Sequence, residues 1–144
     1  MRKYILISIG GFIGAILRYV VRSVPIGHYN GRLPLNTLII NVTGSFVLAL
    51  VLTAAYAAIK LKADIRLGIA TGLIGAYTTF STLCKETESL LSKGDYFTAI
   101  SYVTISALLG VGAVYLGTVL GKKIVSKRSL LKPEPDSVCE SEAK

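Results

Sequence analysis

The residues of this chain that could do chemistry are neutral hydrogen-bond donors set inside long apolar segments. One phenylalanine stands among them. Together they are Thr37, Asn41, Ser45, Thr78, Thr79, Phe80, Ser81, Thr82, Tyr102 and Ser106. Amide and hydroxyl protons can replace part of the hydration shell of a small anion, and an aromatic ring presents a positive edge to the same kind of ion. This inventory favours the binding or passage of a small anion.

Carboxylates, which other chemistries would need, do not occur in the middle of these segments. Asp64, Glu86, Glu88 and Asp95 lie at segment ends or in loops, where a solvated terminal turn is the usual explanation. A proton-coupled exporter normally relays protons through an intramembrane Asp, Glu or His, so this class is disfavoured. The sequence has no nucleotide-binding loop, nucleophile–base pair or metal-ligand spacing, and we expect no enzyme.

Four apolar segments must position the polar residues. The chain has 144 residues, of which 52% are hydrophobic and 17% charged, and a soluble domain of this length would carry more charge. A helix that crosses a bilayer needs roughly 20 mainly apolar residues. The windows that qualify are about 4–24, 35–59, 66–91 and 97–121. We predict an all-α integral membrane protein with a four-helix domain over residues 1–121, surrounded by lipid, and a disordered tail over 122–144.

The third segment is interrupted between Gly72 and Leu83 by two glycines and four serine or threonine residues. Glycine costs about 1 kcal/mol relative to alanine in a helix, and the β-branched pair Thr78 and Thr79 lowers helix propensity further. Such a break is tolerated at membrane depth only where protein or a water-filled cavity covers the freed backbone groups. We therefore expect a broken third helix at the functional centre, with carbonyls that could face a cation.

Glycines spaced for close helix contact occur in all four segments. In lipid, small residues let helices approach closely, because packing replaces the hydrophobic drive. The packing positions are Gly10, Gly14, Gly44, Gly68, Gly72, Gly117 and Gly121. Arg18 continues the face of Gly10 and Gly14, and two roles remain open for it. It is either an interfacial anchor that snorkels or a cation that faces the bundle and attracts an anion.

The net charge of +8 does not indicate nucleic-acid binding, because the basic residues flank the apolar windows and no domain is left to bind nucleic acid. Most of these residues lie on the side that both termini share. By the positive-inside rule this bias predicts cytoplasmic termini and one fixed orientation in the cell membrane.

Three motifs together resemble the CrcB/Fluc family of fluoride channels. They are Gly10-Gly11-x-x-Gly14-Ala15-x-x-Arg18-Tyr19, Asn41-x-x-Gly44-Ser45-Phe46 and Gly72-x-x-Gly75-x-x-Thr78-Thr79-Phe80-Ser81-Thr82, one in each of the first three segments. The resemblance covers all but the tail. It implies a passive, fluoride-selective channel that lowers cytoplasmic fluoride, built as an antiparallel dimer of the dual-topology type with two pores and a structural sodium ion.

The resemblance also implies roles for single residues. Backbone carbonyls of Gly75 and Thr78 would hold the sodium ion. The anion path would be lined by Asn41, Thr79, Phe80, Ser81, Tyr102 and Ser106.

Two departures from the family pattern concern the pore. Leu83 stands where the family usually has a second aromatic residue, and Gly110 stands where the fourth helix commonly continues a line of hydroxyls. Together with the one-sided charge, they favour a heterodimer with an oppositely inserted paralogue over a homodimer. A poorly conducting or structural subunit is the alternative to a channel subunit, and a small proton-coupled exporter is a further one.

Overall fold

The computed structural model describes residues 1–24, 33–55 and 62–130. Four helical stretches among these residues are long and apolar enough to cross a membrane. The helices are α1 (Arg2–Ser23), α2 (Leu35–Ala54), α3 (Ala63–Leu67), a π-helix (Gly68–Ile74), α4 (Gly75–Tyr77), α5 (Phe80–Ser92) and α6 (Tyr96–Leu130). The third span runs from α3 through the π-helix and α4 to α5. The predicted all-α class with four transmembrane helices and a broken third helix is confirmed.

α1 packs against the third span by backbone contact at glycines. A Cβ added at Gly10 would lie 2.5 Å from the carbonyl oxygen of Gly68, and one added at Gly14 would collide with the carbonyl oxygen of Leu73. Neither position has room for a side chain. Such contact is how helices pack in lipid.

The π-helix meets α1 through its own glycines. A Cβ at Gly68 would lie 2.9 Å from the Cβ of Leu6, and one at Gly72 would lie 2.6 Å from the carbonyl oxygen of Ile7. The contacts advance together along both segments, so α1 and the third span run in the same direction. The π-helix, a rare form that is frequent at functional sites, is followed by the three residues of α4 and then by the break.

α2 and α6 form the second close pair. A Cβ at Gly117 would lie 2.6 Å from the carbonyl oxygen of Phe46, and one at Gly121 would lie 2.8 Å from the Cβ of Thr53. These two helices also run in the same direction. As a result, the start of α1, the start of α3 and the end of α6 lie on one side of the bundle.

The break in the third span consists of two extended residues. α4 ends at Tyr77, and Thr78 (φ −74°, ψ 155°) and Thr79 (φ −147°, ψ 110°) then leave the helical region. α5 begins at Phe80 with Thr79 as its N-cap. Gly44 of α2 lies against this point, since a Cβ there would collide with the methyl group of Thr78.

One helix end differs from the sequence prediction. α6 continues to Leu130, although we expected the fourth helix to end at 121 and a disordered tail to begin at 122. The sequence from Lys122 to Leu130 contains neither glycine nor proline, so nothing in it stops the helix. α2 ends at Ala54, and its expected end at 59 lies outside the described residues, as do positions 131–144.

Large apolar side chains cover the outside of the bundle. Phe12 is 70% exposed, Phe97 84% and Val111 71%. Monomeric soluble proteins rarely expose apolar surface on this scale. Together with the four spans, this distribution is that of a multi-pass membrane protein.

Candidate anion path and helix break

Asn41 of α2 holds the break from the side. Its Oδ1 accepts the backbone N–H of Thr79 at 2.8 Å, and its Nδ2 donates to the carbonyl oxygen of Thr79 at 3.1 Å. The amide thus satisfies both backbone groups of one extended residue, which a membrane interior could not do with water. We predicted Asn41 as a pore donor, and the structure adds that at least one of its two amide protons is already used by the backbone.

Thr79 in turn caps α5. Its side chain is 6% exposed, and its Oγ1 accepts the N–H of Thr82 at 3.3 Å. The hydroxyls of Thr82 and Ser81 lie 2.9 and 3.3 Å from the same oxygen. Two predicted path residues, Thr79 and Ser81, therefore form one hydroxyl cluster with Thr82 at the start of α5, where the helix N-terminus also favours negative charge.

The carbonyls of Gly75 and Thr78 lose their helical donors to side chains. In a continuous α-helix the N–H of residue i+4 donates to the carbonyl of residue i, so Gly75 would accept from Thr79, and Thr78 from Thr82. Here Thr79 N–H donates to Asn41 and Thr82 N–H donates to Thr79 Oγ1. Carbonyls freed in this way at a broken membrane helix are typical sodium ligands, so the residues present fit a sodium ion.

A polar cleft of about 450 Å³ opens beside the hydroxyl cluster. It is lined by Ala15, Arg18, Tyr19, Arg22, Thr79, Ser81 and Thr82. Two guanidinium groups from α1 and three hydroxyls from the third span thus border one space. Of the two roles left open for Arg18, this position favours the cation that faces the bundle. Arg22 lies one turn further along α1 and shares the cleft.

Phe80 lies on the outer surface of the chain. It is 78% exposed, although it directly follows the break. A second cleft, of about 240 Å³, runs beside it. Its lining residues are Asn41, Gly44, Ser45, Leu48, Thr78, Thr79 and Phe80. Within this chain Phe80 is therefore at the edge of the site, with most of its surface exposed.

Glu86 is the residue for which the sequence expectation was wrong. We expected a solvated terminal turn, but its carboxylate accepts two hydrogen bonds inside the bundle. Thr37 Oγ1 donates to Oε1 at 2.9 Å, and Tyr102 OH donates to Oε2 at 2.8 Å. Both donor residues are only 1% exposed. A carboxylate therefore ties α2, α5 and α6 together. This finding weakens the sequence argument that carboxylates are confined to solvated segment ends and loops.

The predicted donors on α6 are engaged as well. Tyr102 donates to Glu86, and Ser106 Oγ donates to the carbonyl oxygen of Tyr102 at 2.7 Å. Gly110 has nothing within 4 Å of an added Cβ. Leu83, one of the two departures from the family pattern, packs against the apolar cluster around Leu90 and Tyr102.

Sequence reasoning missed Arg22, Glu86 and, as a bound partner, Thr37. A signal existed for two of them. Arg22 follows Arg18 by four residues, the spacing of one helix face. Glu86 follows Thr79 by seven residues, two turns along α5, so that both face the bundle interior. The sequence held no signal that pairs Thr37 with Glu86, because the two residues meet only through tertiary packing.

The fold and the site together define a multi-pass helical membrane protein with a cleft between two arginines and a hydroxyl cluster beside a broken helix. The family model described as CrcB-like protein, Camphor Resistance (CrcB), matches residues 5–118. The chain aligns with relatives named fluoride-specific ion channel FluC over nearly the whole length of those relatives. The relative from Acidobacterium capsulatum is 44% identical over 124 residues, which is 86% of this chain and 99% of the relative.

Two further relatives carry the same name. The protein from Allorhizobium ampelinum is 37% identical over 85% of this chain and 98% of its own length. The protein from Thermus thermophilus is 36% identical over 87% of this chain and 99% of its own length. The chain belongs to the CrcB family, whose named relatives are ion channels and not enzymes.

Proposed function

We propose that this chain is a subunit of a passive, fluoride-selective channel that lowers the fluoride concentration of the cytoplasm. One observation carries the proposal beyond the names of the relatives. Arg18 and Arg22 border the same cleft as the hydroxyls of Thr79, Ser81 and Thr82. Fixed cations collect anions at a pore mouth, and neutral donors then replace the ion's water without holding it too tightly to leave.

The proposed path continues from the hydroxyl cluster toward α6. Tyr102 and Ser106 remain in this path, but each already donates a hydrogen bond. A fluoride ion that reaches Tyr102 has to accept the hydroxyl proton that Tyr102 otherwise donates to Glu86. The carboxylate then keeps Thr37 as a partner, which limits the charge left unsatisfied.

We also place a structural sodium ion at the break, on the carbonyls of Gly75 and Thr78. The ion would compensate the partial negative charge of these two carbonyl oxygens. The residues that prepare the site are Asn41 and Thr79, since they hold the amide protons that a continuous helix would direct to those carbonyls.

The subunit acts in an antiparallel dimer. Support comes from Phe80, an aromatic residue that is 78% exposed and lines the second cleft, of about 240 Å³, where an opposed subunit would cover it. We propose a heterodimer with an oppositely oriented paralogue, because basic residues cluster at the side of the termini, which we place in the cytoplasm.

Fluoride efflux from liposomes tests the function. The purified chain, alone and with its paralogue, is reconstituted into liposomes loaded with potassium fluoride, and a fluoride electrode records efflux after valinomycin is added. We expect rapid fluoride efflux and no chloride efflux under the same conditions. The proposal is contradicted if fluoride efflux in both preparations is no faster than from loaded liposomes without protein. Efflux that needs a proton gradient contradicts it as well.

A structural, poorly conducting subunit is the second candidate, and the internal packing of Leu83 favours it. The two candidates differ in a heterodimer that carries Ser81→Ala and Thr82→Val in this chain only. A conducting subunit loses its share of the fluoride efflux. A structural subunit leaves the efflux of the partner unchanged.

A further inference from the structure

We infer that Asn41 keeps the third helix open at Thr79 and thereby keeps the carbonyl of Gly75 available to a cation. This role rests on the proposed sodium site and goes beyond it, since Asn41 touches the backbone and not the ion. Asn41 is thus a positioning residue, in addition to any contact with the anion.

The geometry assigns both polar atoms of the amide to one residue. Oδ1 lies 2.8 Å from the nitrogen of Thr79 and Nδ2 lies 3.1 Å from its oxygen. Thr78 has already left the helix with ψ 155°, which turns the N–H of Thr79 away from the Gly75 carbonyl. Asn41 is the acceptor that this N–H meets in its extended conformation.

Two acceptors, the Asn41 side chain and the Gly75 carbonyl, compete for the N–H of Thr79. With Asn41 present, Thr79 N–H has a side-chain acceptor and the Gly75 carbonyl has no helical donor. Without Asn41, an N–H at membrane depth must find another acceptor. The Gly75 carbonyl is the acceptor that an α-helix supplies. Loss of Asn41 therefore favours a closed helix in which the Gly75 oxygen is occupied.

Three variants separate this role from a pore role. Asn41→Leu removes both polar atoms at similar size. Asn41→Asp keeps an acceptor for Thr79 N–H, although a carboxylate repels an anion and donates no proton to it. Ser45→Ala is the matched control, because Ser45 lines the same cleft but is not the acceptor of Thr79 N–H.

The readout is thermal unfolding of the purified full chain in sodium chloride and in N-methyl-D-glucamine chloride of equal ionic strength. A ligand that binds only the folded state raises the unfolding temperature. We expect a sodium-dependent rise in wild type, Ser45→Ala and Asn41→Asp, and none in Asn41→Leu. If Asn41→Leu does not fold, Asn41→Val replaces it, since it also lacks both polar atoms.

The outcomes distinguish this inference from the sodium site itself. If wild type shows no sodium-dependent rise, the proposed sodium site fails. If wild type shows the rise and Asn41→Leu keeps it in full, the sodium site stands and the role of Asn41 is overturned. If Asn41→Asp also loses the rise, an acceptor for Thr79 N–H at position 41 is not enough to keep the Gly75 carbonyl free. This result would also overturn the proposed role of Asn41.

A separate observation concerns the end of α6, where we propose a binding surface for anionic phospholipid headgroups. Lys122, Lys123 and Lys127 are exposed on the helical extension past Gly121. Gly121 packs on α2, and Lys123 and Lys127 lie four residues apart on the opposite face. The family match ends at residue 118, before the first of these lysines.

Charge complementarity and position identify the occupant. The extension lies on the same side as the exposed Arg2 and Lys3 of α1, just beyond the apolar part of α6. Lysine side chains at this level reach the headgroup region. Basic clusters next to a transmembrane helix attract anionic lipids, and each lysine raises the binding constant about fivefold.

Lipid retention tests this surface without any use of transport. The purified chain is titrated with phosphatidylglycerol or phosphatidylcholine, and bound lipids are counted by native mass spectrometry. We expect wild type to prefer phosphatidylglycerol, and Lys123→Gln with Lys127→Gln to reduce that binding about tenfold or more. The control pair Lys85→Gln and Lys93→Gln, at the other side, should keep the preference. Equal retention by both pairs, or no preference in wild type, overturns the proposal.

Discussion

At the scale of single residues, Glu86 is an ionisable group held by two neighbouring helices. It holds hydroxyl protons from two helices, at 2.9 Å from Thr37 and 2.8 Å from Tyr102. Hydrogen bonds to a charged acceptor are stronger than neutral ones. The carboxylate therefore serves first as a joint between α2, α5 and α6, and any part in conduction has to work through that joint.

We predict that Tyr102→Phe lowers the free energy of unfolding by about 1–3 kcal/mol, because Glu86 loses one of its two donors at a buried site. Chemical denaturation in detergent measures this change. Tyr115→Phe is the control, since Tyr115 is 68% exposed. The double variant Tyr102→Phe with Glu86→Gln should be less destabilised than the sum of the single variants. If the destabilisations of the two single variants simply add, Tyr102 and Glu86 do not stabilise the fold through a shared hydrogen bond.

The paired arginines allow a prediction about flux. Arg18→Gln with Arg22→Gln should reduce fluoride efflux about tenfold at low ionic strength and less at high ionic strength, because salt screens exposed charges. The control pair Lys85→Gln and Lys93→Gln lies outside the cleft and should leave efflux near the wild-type rate. An equal loss in both pairs would mean that net charge, and not the cleft, controls the rate.

At this scale the sequence predicted residue types better than partners. The hydroxyls of Thr79, Ser81 and Thr82 were expected at the break because no lipid-facing helix needs them, and they do meet at one point. The partner of Asn41 could not be predicted, since a backbone group of a distant segment carries no signature in the sequence. Glu86 was misplaced for the same reason, because proximity to a helix end says nothing about which neighbour covers it.

At the scale of helices, glycine sets the distance between α1 and the third span. The backbone of the π-helix lies directly on α1 at Gly10 and Gly14. This contact was predictable in kind, because small residues four apart are a general packing signal. The π-helical form itself was not, since a sequence pattern does not reveal which amide donates to which carbonyl along a helix.

We predict that Gly14→Ala destabilises the fold by about 1–3 kcal/mol, because the new methyl group would collide with the Leu73 carbonyl and overpack the contact. Gly112→Ala is the matched control. Its added Cβ has nothing within 4 Å, and alanine is the better helix former, so its stability should be unchanged or slightly higher. Thermal unfolding compares the two. Equal stability of both variants would contradict backbone contact at Gly14.

At the scale of the whole molecule, we expect a second subunit to complete the bundle. Phe80 is 78% exposed next to the break, and it lines the second cleft. The four spans and the helix break followed from apolar windows and poor helix formers. The number of chains and their orientation do not follow from one sequence, because they depend on the surface of a partner.

Orientation can be measured in cells, where we predict one topology. In a chain with Cys84→Ser and Cys139→Ser, Lys93→Cys adds a thiol at the exposed turn after α5. A membrane-impermeant maleimide should label nearly all copies in intact cells, since the basic residues gather at the opposite side. The same substitution at Lys123 is the control and should react only after the cells are opened. About half labelling at both sites would instead support a dual-topology homodimer.

The outward position of Phe80 also sets a condition on biogenesis. A chain inserted without a partner would present its open backbone and its hydroxyls to acyl chains, which cannot satisfy them. We expect such a chain to be degraded unless the proposed partner binds it. The amount of stable protein in a cell would then follow the scarcer of the two subunits, and overproduction of this chain alone would add turnover rather than channels.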